Sequence, residues 1–144
     1  MTSCRDVMTE APVYCFPTDS VVRAAQLMNR EDVGLIPVVT DDDARRLVGV
    51  VTDRDLAIRV VAESLSPAPT TVDMVMTASP VTCRPDDDLD TLLNRMKEFQ
   101  LRRIPIVDER DRLVGIVAQA DVALRTNETE ETAEVVAEIS RPTT

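Results

Sequence analysis

Apolar positions recur along this chain with two different spacings. At Val21, Ala24, Ala25 and Met28, and again at Leu89, Leu92, Leu93 and Met96, they follow the i, i+3, i+4, i+7 rule that gathers a stripe on one helix face. Helices are expected at both places. Thr18, Asp19 and Ser20 offer N-caps for the first and Asp86, Asp87 and Asp88 for the second, since short polar side chains accept from the open N–H groups of a first turn. Ahead of each helix stands a short β-prone run, residues 13–16 and 81–83, which Pro17 and Pro85 bring to an end. After the first helix come two largely apolar runs, residues 35–39 and 47–51, which read as strands covered on at least one face. The polar stretch 40–46 joins them as a hairpin, with residues 108–112 as its later counterpart. A further helix begins at Thr52 and runs to residue 63.

These elements are one unit written twice. Val7-Met8-Thr9 recurs as Val75-Met76-Thr77, and a constant offset carries Pro12 to Pro80, Val13 to Val81, Cys15 to Cys83, Pro17 to Pro85 and Ile36-Pro37 to Ile104-Pro105. After a longer loop in the first copy, Arg46-Leu47-Val48-Gly49 meets Arg112-Leu113-Val114-Gly115, and Asp55 meets Asp121. The expected organisation is a first repeat over residues 1–63, a Pro/Ser/Thr linker over 64–71, a second repeat over 72–125, and an acidic tail over 126–144. Within the tail, residues 132–139 form a short amphipathic stretch. The fold class is α/β, each copy running β-α-β-β-α.

Composition narrows the function. The net charge of −10 disfavours nucleic acid and anionic membrane surfaces as partners, since both need clustered positive charge. All basic residues but Lys97 are arginines, whose planar fork suits phosphate and carboxylate. Histidine is absent, and the three cysteines, Cys4, Cys15 and Cys83, form no CxxC pair. Structural zinc and His-dependent acid–base or nucleophilic catalysis are therefore disfavoured, and a non-enzymatic chain is expected. No apolar run approaches the roughly 20 residues that cross a bilayer. The N-terminus has no secretory pattern, so the expected compartment is cytoplasmic, with all three cysteines reduced. The acid runs Asp41-Asp42-Asp43 and Asp86-Asp87-Asp88 read as turn and cap residues rather than as a metal site. Cys15 and Cys83, mates under the repeat, read as small buried apolar side chains, with a redox pair as the alternative.

The doubled V-M-T-x-x-P opening, the strands Ile36-Pro37-Val38-Val39 and Ile104-Pro105-Ile106-Val107, the Leu-Val-Gly hairpins and Gly49-Val50-Val51-Thr52-Asp53-Arg54-Asp55 together resemble the CBS domain, a family named after cystathionine β-synthase. The resemblance spans about residues 5–125 and is strongest to short stand-alone CBS pairs without a catalytic domain. It implies two copies packed as a pseudo-twofold pair with two clefts, a tendency to form homodimers, and binding of adenosine-containing ligands such as AMP, ADP or ATP as regulatory signals read by a protein partner.

Carried onto this chain, the resemblance implies that Thr52 offers its hydroxyl to a phosphate and Asp55 accepts from ribose hydroxyls. Arg54 and Asp53 flank them, and Ile36, Pro37, Val38, Pro12 and Val13 line the adenine pocket. A helix N-terminus at Thr52 with free N–H groups would favour an anion. The same Thr52-x-x-Asp55 spacing also fits a capping box, which needs no ligand. In the second copy Asp121, Ile104, Pro105 and Ile106 hold the matching positions, but Ala118 replaces the hydroxyl residue, which puts a phosphate contact there in doubt. Arg102 and Arg103 stand where the first copy has Gly34 and Leu35. The competing readings are a ligand-independent dimeric interaction module and a cysteine redox sensor using Cys15, Cys83 or Cys4.

Overall fold

The computed structural model describes residues 2–126, so the expected tail helix at 132–139 lies outside the described residues. Within them the chain forms two compact units that do not coincide with the two repeats. One gathers residues 13–80 with 111–113; the other gathers 2–12 with 81–110 and 114–126.

The unit built on residues 13–80 contains α2 (Val21–Glu31), β2 (Leu35–Val39), β3 (Leu47–Thr52), α3 (Asp53–Leu56), α4 (Val72–Val75) and β4 (Thr77–Ala78). The sheet order is β2-β3-β4, antiparallel throughout, with Ile36 opposite Val51 and Gly49 opposite Ala78. Ser20 starts α2 by accepting from Val22 N at 3.1 Å, so the expected cap is the one used. The helix ends at Asp32 in the left-handed region (φ 54°), whose N–H donates to the Met28 carbonyl. That terminal position usually belongs to glycine, and this chain has only three glycines. Its buried stripe is Val21, Ala24, Leu27 and Met28. Ala25, expected inward, is exposed, because a real 3.6-residue turn carries Leu27 rather than Ala25 to the core side. Beyond α3 the helix widens into a π-helical turn, Ala57–Val61, in which Ala62 N–H donates to the Ala57 carbonyl at 2.9 Å.

The other unit contains α1 (Cys4–Val7), β1 (Thr9–Glu10), α5 (Leu89–Phe99), β5 (Arg103–Val107), β6 (Leu113–Ala118) and α6 (Gln119–Thr126). Its sheet order is β1-β6-β5, with Thr9 opposite Ile116. Asp88 caps α5 by accepting from Thr91 N at 2.8 Å, and Leu92, Leu93 and Met96 go to the core as expected.

Two expectations are corrected. Residues 13–16 and 81–83 are not strands: each contributes a single parallel bridge, Cys15 to Val38 and Cys83 to Ile106. The third strand of each sheet is instead a two-residue segment near the start of a repeat, Thr9–Glu10 or Thr77–Ala78, and it is lent to the other copy's hairpin. Gly49 and Gly115 show why those hairpins carry glycine. A Cβ on Gly49 would stand 2.8 Å from the Thr77 carbonyl oxygen, and one on Gly115 would stand 3.1 Å from that of Thr9.

Candidate functional site

Thr52 is the last residue of β3 and the N-cap of α3, which fixes its hydroxyl at a strand-to-helix corner. The hydroxyl accepts from Asp55 N at 3.1 Å, and the Asp55 carboxylate accepts in return from Thr52 N at 3.0 Å. The capping box is therefore formed. The two N–H groups between are also engaged: Asp53 N–H donates to the Gly34 carbonyl at 3.0 Å and Arg54 N–H to the Asp53 carboxylate at 2.8 Å. The expectation of free N–H groups awaiting an anion is thus corrected, because the chain spends them on itself.

Asp55 is the unusual member. Its carboxylate is buried, the residue being 9% exposed, where an ionised group needs partners to offset lost hydration. Besides Thr52 it receives the Thr77 hydroxyl at 3.5 Å and faces the Arg59 guanidinium at 3.8 Å. Arg59 in turn donates to the Val75 and Met76 carbonyls at 3.3 and 3.4 Å, tying the π-helical turn to the end of α4. Neither Thr77 nor Arg59 stands out in sequence. Thr77 lies in the next repeat's V-M-T opening, and only the β3–β4 pairing brings it to Asp55.

The apolar residues named for an adenine pocket divide. Ile36 and Val38 are fully buried in the core with Val51 and Cys15, and Val13 packs partly buried against them. Pro37 is buried as well, its carbonyl accepting from Cys15 N–H at 3.0 Å. Pro12 belongs to the other compact unit. Asp53 has its carboxylate against Gly34, where a Cβ would sit 2.9 Å from it. An open apolar groove of about 350 Å³ exists in this unit, lined by Val22, Ala25, Leu56, Val60, Val61 and Pro67 among others, and by none of the residues named for the adenine pocket.

In the other unit Ile104, Pro105 and Ile106 are buried and Asp121 is half-buried at the start of α6. Gln119 N–H donates to the Arg102 carbonyl at 2.8 Å, repeating the Asp53–Gly34 bond of the first copy. Ala118 has no hydroxyl to cap the helix, so the reciprocal Thr–Asp pair has no counterpart here. The acid runs serve the backbone: Asp41 accepts from Asp43 and Ala44 N–H, and Asp87 from Arg84 N–H. Among the described residues no three Cys, Asp or Glu side chains converge as a metal-binding group. All three thiols are buried, and the one beside Cys83 is Cys4 rather than Cys15.

Comparison with known proteins places this geometry. The chain is 39% identical over 140 residues to the uncharacterised protein YlbB of Bacillus subtilis, covering 97% of this chain and 93% of that one. It is 37% identical over 123 residues to hypoxic response protein 1 of Mycobacterium tuberculosis, covering 85% and 84%. The crystal structure of the latter, which has two coordinated zinc ions, superposes with a TM-score of 0.77 at 36% identity over 85% of this chain and 98% of that one. CBSX2 of Arabidopsis thaliana, solved in complex with AMP, gives a TM-score of 0.76 at 28% identity over 89% of this chain and all of that one. The CBS domain model matches residues 4–62 and 72–126, and with both copies matched the chain belongs to the CBS domain family as a tandem pair.

Proposed function

We propose that this chain is a non-enzymatic, cytoplasmic regulatory module that takes an adenosine-containing ligand, AMP, ADP, ATP or another adenosyl compound, at the β3–α3 corner and passes the event to a protein partner. The observation that carries this reading is the buried Asp55 carboxylate, held at the end of an apolar strand pair by bonds that a ribose diol could replace in kind. The AMP complex of CBSX2 supports the ligand class. Thr52 is the phosphate-side residue, and Arg54, exposed beside it, supplies charge-assisted contacts. Ligand entry competes with the capping box, so binding and local helix order are linked: occupation releases the Thr52–Asp55 pair and favours one of two arrangements of the corner. The second copy, with Asp121 but no hydroxyl at Ala118, is assigned at most a nucleoside.

Titration calorimetry with AMP, ATP and adenosine tests this. Asp55→Ala is expected to weaken all three by roughly ten- to a hundredfold, the equivalent of lost hydrogen bonds to a charged group. Thr52→Ala is expected to weaken the phosphorylated ligands more than adenosine. No binding to wild type at millimolar concentration would defeat the proposal.

A second reading, a ligand-independent dimeric interaction module, is favoured by a specific feature. Val61 and Ile58 are 72% and 51% exposed, and Val61 and Val22 border the apolar groove. Exposed apolar side chains around an apolar groove favour association. A homodimer in solution is expected under either reading, and sedimentation showing one species at the 15.9 kDa monomer mass would exclude it.

A further inference from the structure

The first turn of the chain is clasped to the loop before α5. Cys4 N–H donates to the Asp87 carbonyl at 2.9 Å, Arg5 N–H to the Pro85 carbonyl at 3.0 Å, and Ser3 bridges Asp88. This sets the Cys4 and Cys83 thiols beside each other within one core. A cation completes the group. Arg95 Nη1 lies 3.2 Å from Cys83 Sγ and is held there by the Thr82 carbonyl at 2.6 Å and the Asp87 carboxylate at 3.5 Å.

From this arrangement we infer that Cys4 and Cys83 are an oxidisable pair, closed to a reversible disulfide by a small peroxide and fastening the N-terminal turn to the second repeat. The thiolate is the reactive form, and two donors favour it at Cys83: the Cys4 S–H and the Arg95 guanidinium, opposed by burial and the Asp87 charge. Cys4 is pushed the other way and keeps its proton. Cys15 lacks such a group; burial, reinforced by Asp19, pushes its thiol up to about 12. Burial of the pair also limits access. The turn that covers it is only four residues long, and an element that short opens locally at little cost.

The chemistry balances in two steps. The Cys83 thiolate attacks one peroxide oxygen, the O–O bond breaks, and hydroxide leaves a sulfenic acid. The Cys4 sulfur then attacks the Cys83 sulfur and displaces its hydroxide, which leaves with the Cys4 proton as water. Two thiols lose two electrons to one peroxide, and a dithiol reductant reverses the change.

Hydrogen peroxide added to the full-length protein, followed by alkylation and peptide mass spectrometry, tests the inference. A Cys4–Cys83 cross-link is expected, lost again on adding dithiothreitol, with Cys15 alkylated throughout. Cys4→Ser should stop Cys83 at a sulfenic acid that dimedone traps. Arg95→Met should slow cross-linking about tenfold at neutral pH, and Arg95→Lys should restore much of the rate. Cys83 remaining reduced while free glutathione in the same tube is oxidised, Cys15 reacting as fast as Cys83, or Arg95→Met leaving the rate unchanged would each overturn it.

Discussion

Asp55 caps the β3–α3 corner with its carboxylate, and the sequence already held the spacing for that cap. The Thr-x-x-Asp spacing marked the corner, and the fold confirms the cap in both directions. What the spacing could not contain is Thr77 and Arg59, because both reach Asp55 through pairing and through a π-helical turn rather than through neighbourhood in the chain. The same limit applies to Ile36 and Val38: apolar character is visible in sequence, but their full burial is set by the third dimension. Glycine offers a sharper test of this close packing. Gly49→Ala sets a Cβ 2.8 Å from a backbone oxygen, which cannot swing aside, and is expected to cost about 1–3 kcal/mol in urea denaturation. Gly34→Ala meets only the Asp53 side chain, which can rotate, and should cost well under half as much. Equal costs would mean that the Thr77–Ala78 segment yields where its pairing says it cannot.

The elements that sequence displayed well are those specified locally. The helices Val21–Glu31 and Leu89–Phe99 have caps, stripes and stops within their own length, and the hairpins have theirs. The elements it concealed, α1, α4, β1 and β4, have two to four residues each, too short for any period to register. Their stability comes from the partner they meet, as Cys4, Val7, Val72 and Val75 show by being buried. The caps make a prediction about acid. Backbone hydrogen bonds from Thr91 to Asp88 and from Ser3 to Asp6 hold both carboxyls below the usual carboxylate range. A lowered folded value means that the stabilisation is complete above the unfolded value of about 4 and is lost as pH falls through the folded one. Melting temperature should therefore decline below about pH 4. Asp88→Asn, which caps without titrating, should flatten part of that decline relative to wild type. An unchanged acid profile would remove Asp88 from the account. At the uncharged cap, Ser20→Ala should lower stability by about 1 kcal/mol at every pH.

The lending of opening segments decides what a folding unit is in this molecule. Sequence symmetry divides the chain near residues 63 and 72, whereas compactness divides it at 12–13 and 80–81. The two partitions differ because a hairpin and two helices leave one edge of each three-stranded sheet unfilled, and the filling strand comes from the other copy. A fragment spanning residues 13–80 keeps β2, β3 and β4 together with Val72 and Val75, and should unfold cooperatively, though marginally at that size. A fragment of residues 1–63 has the same helix and hairpin but lacks those residues, and should show no cooperative transition by circular dichroism. The reverse ranking would restore the repeat as the folding unit.

Synthesis adds a direction to this exchange. A ribosome delivers residues 13–80 as one run, so that unit has nearly all its parts as soon as they emerge. Residues 2–12, made just ahead of that run, wait longer for their partners. Thr9 finds Ile116, and Cys4 finds Cys83, only after most of the chain has left the tunnel. Until then Val7 and Cys4, both destined for full burial, stay in water, open to chaperones and oxidants alike. The nascent chain thus passes through an interval in which β1 has no edge to join, because the strand it pairs with is more than a hundred residues behind it.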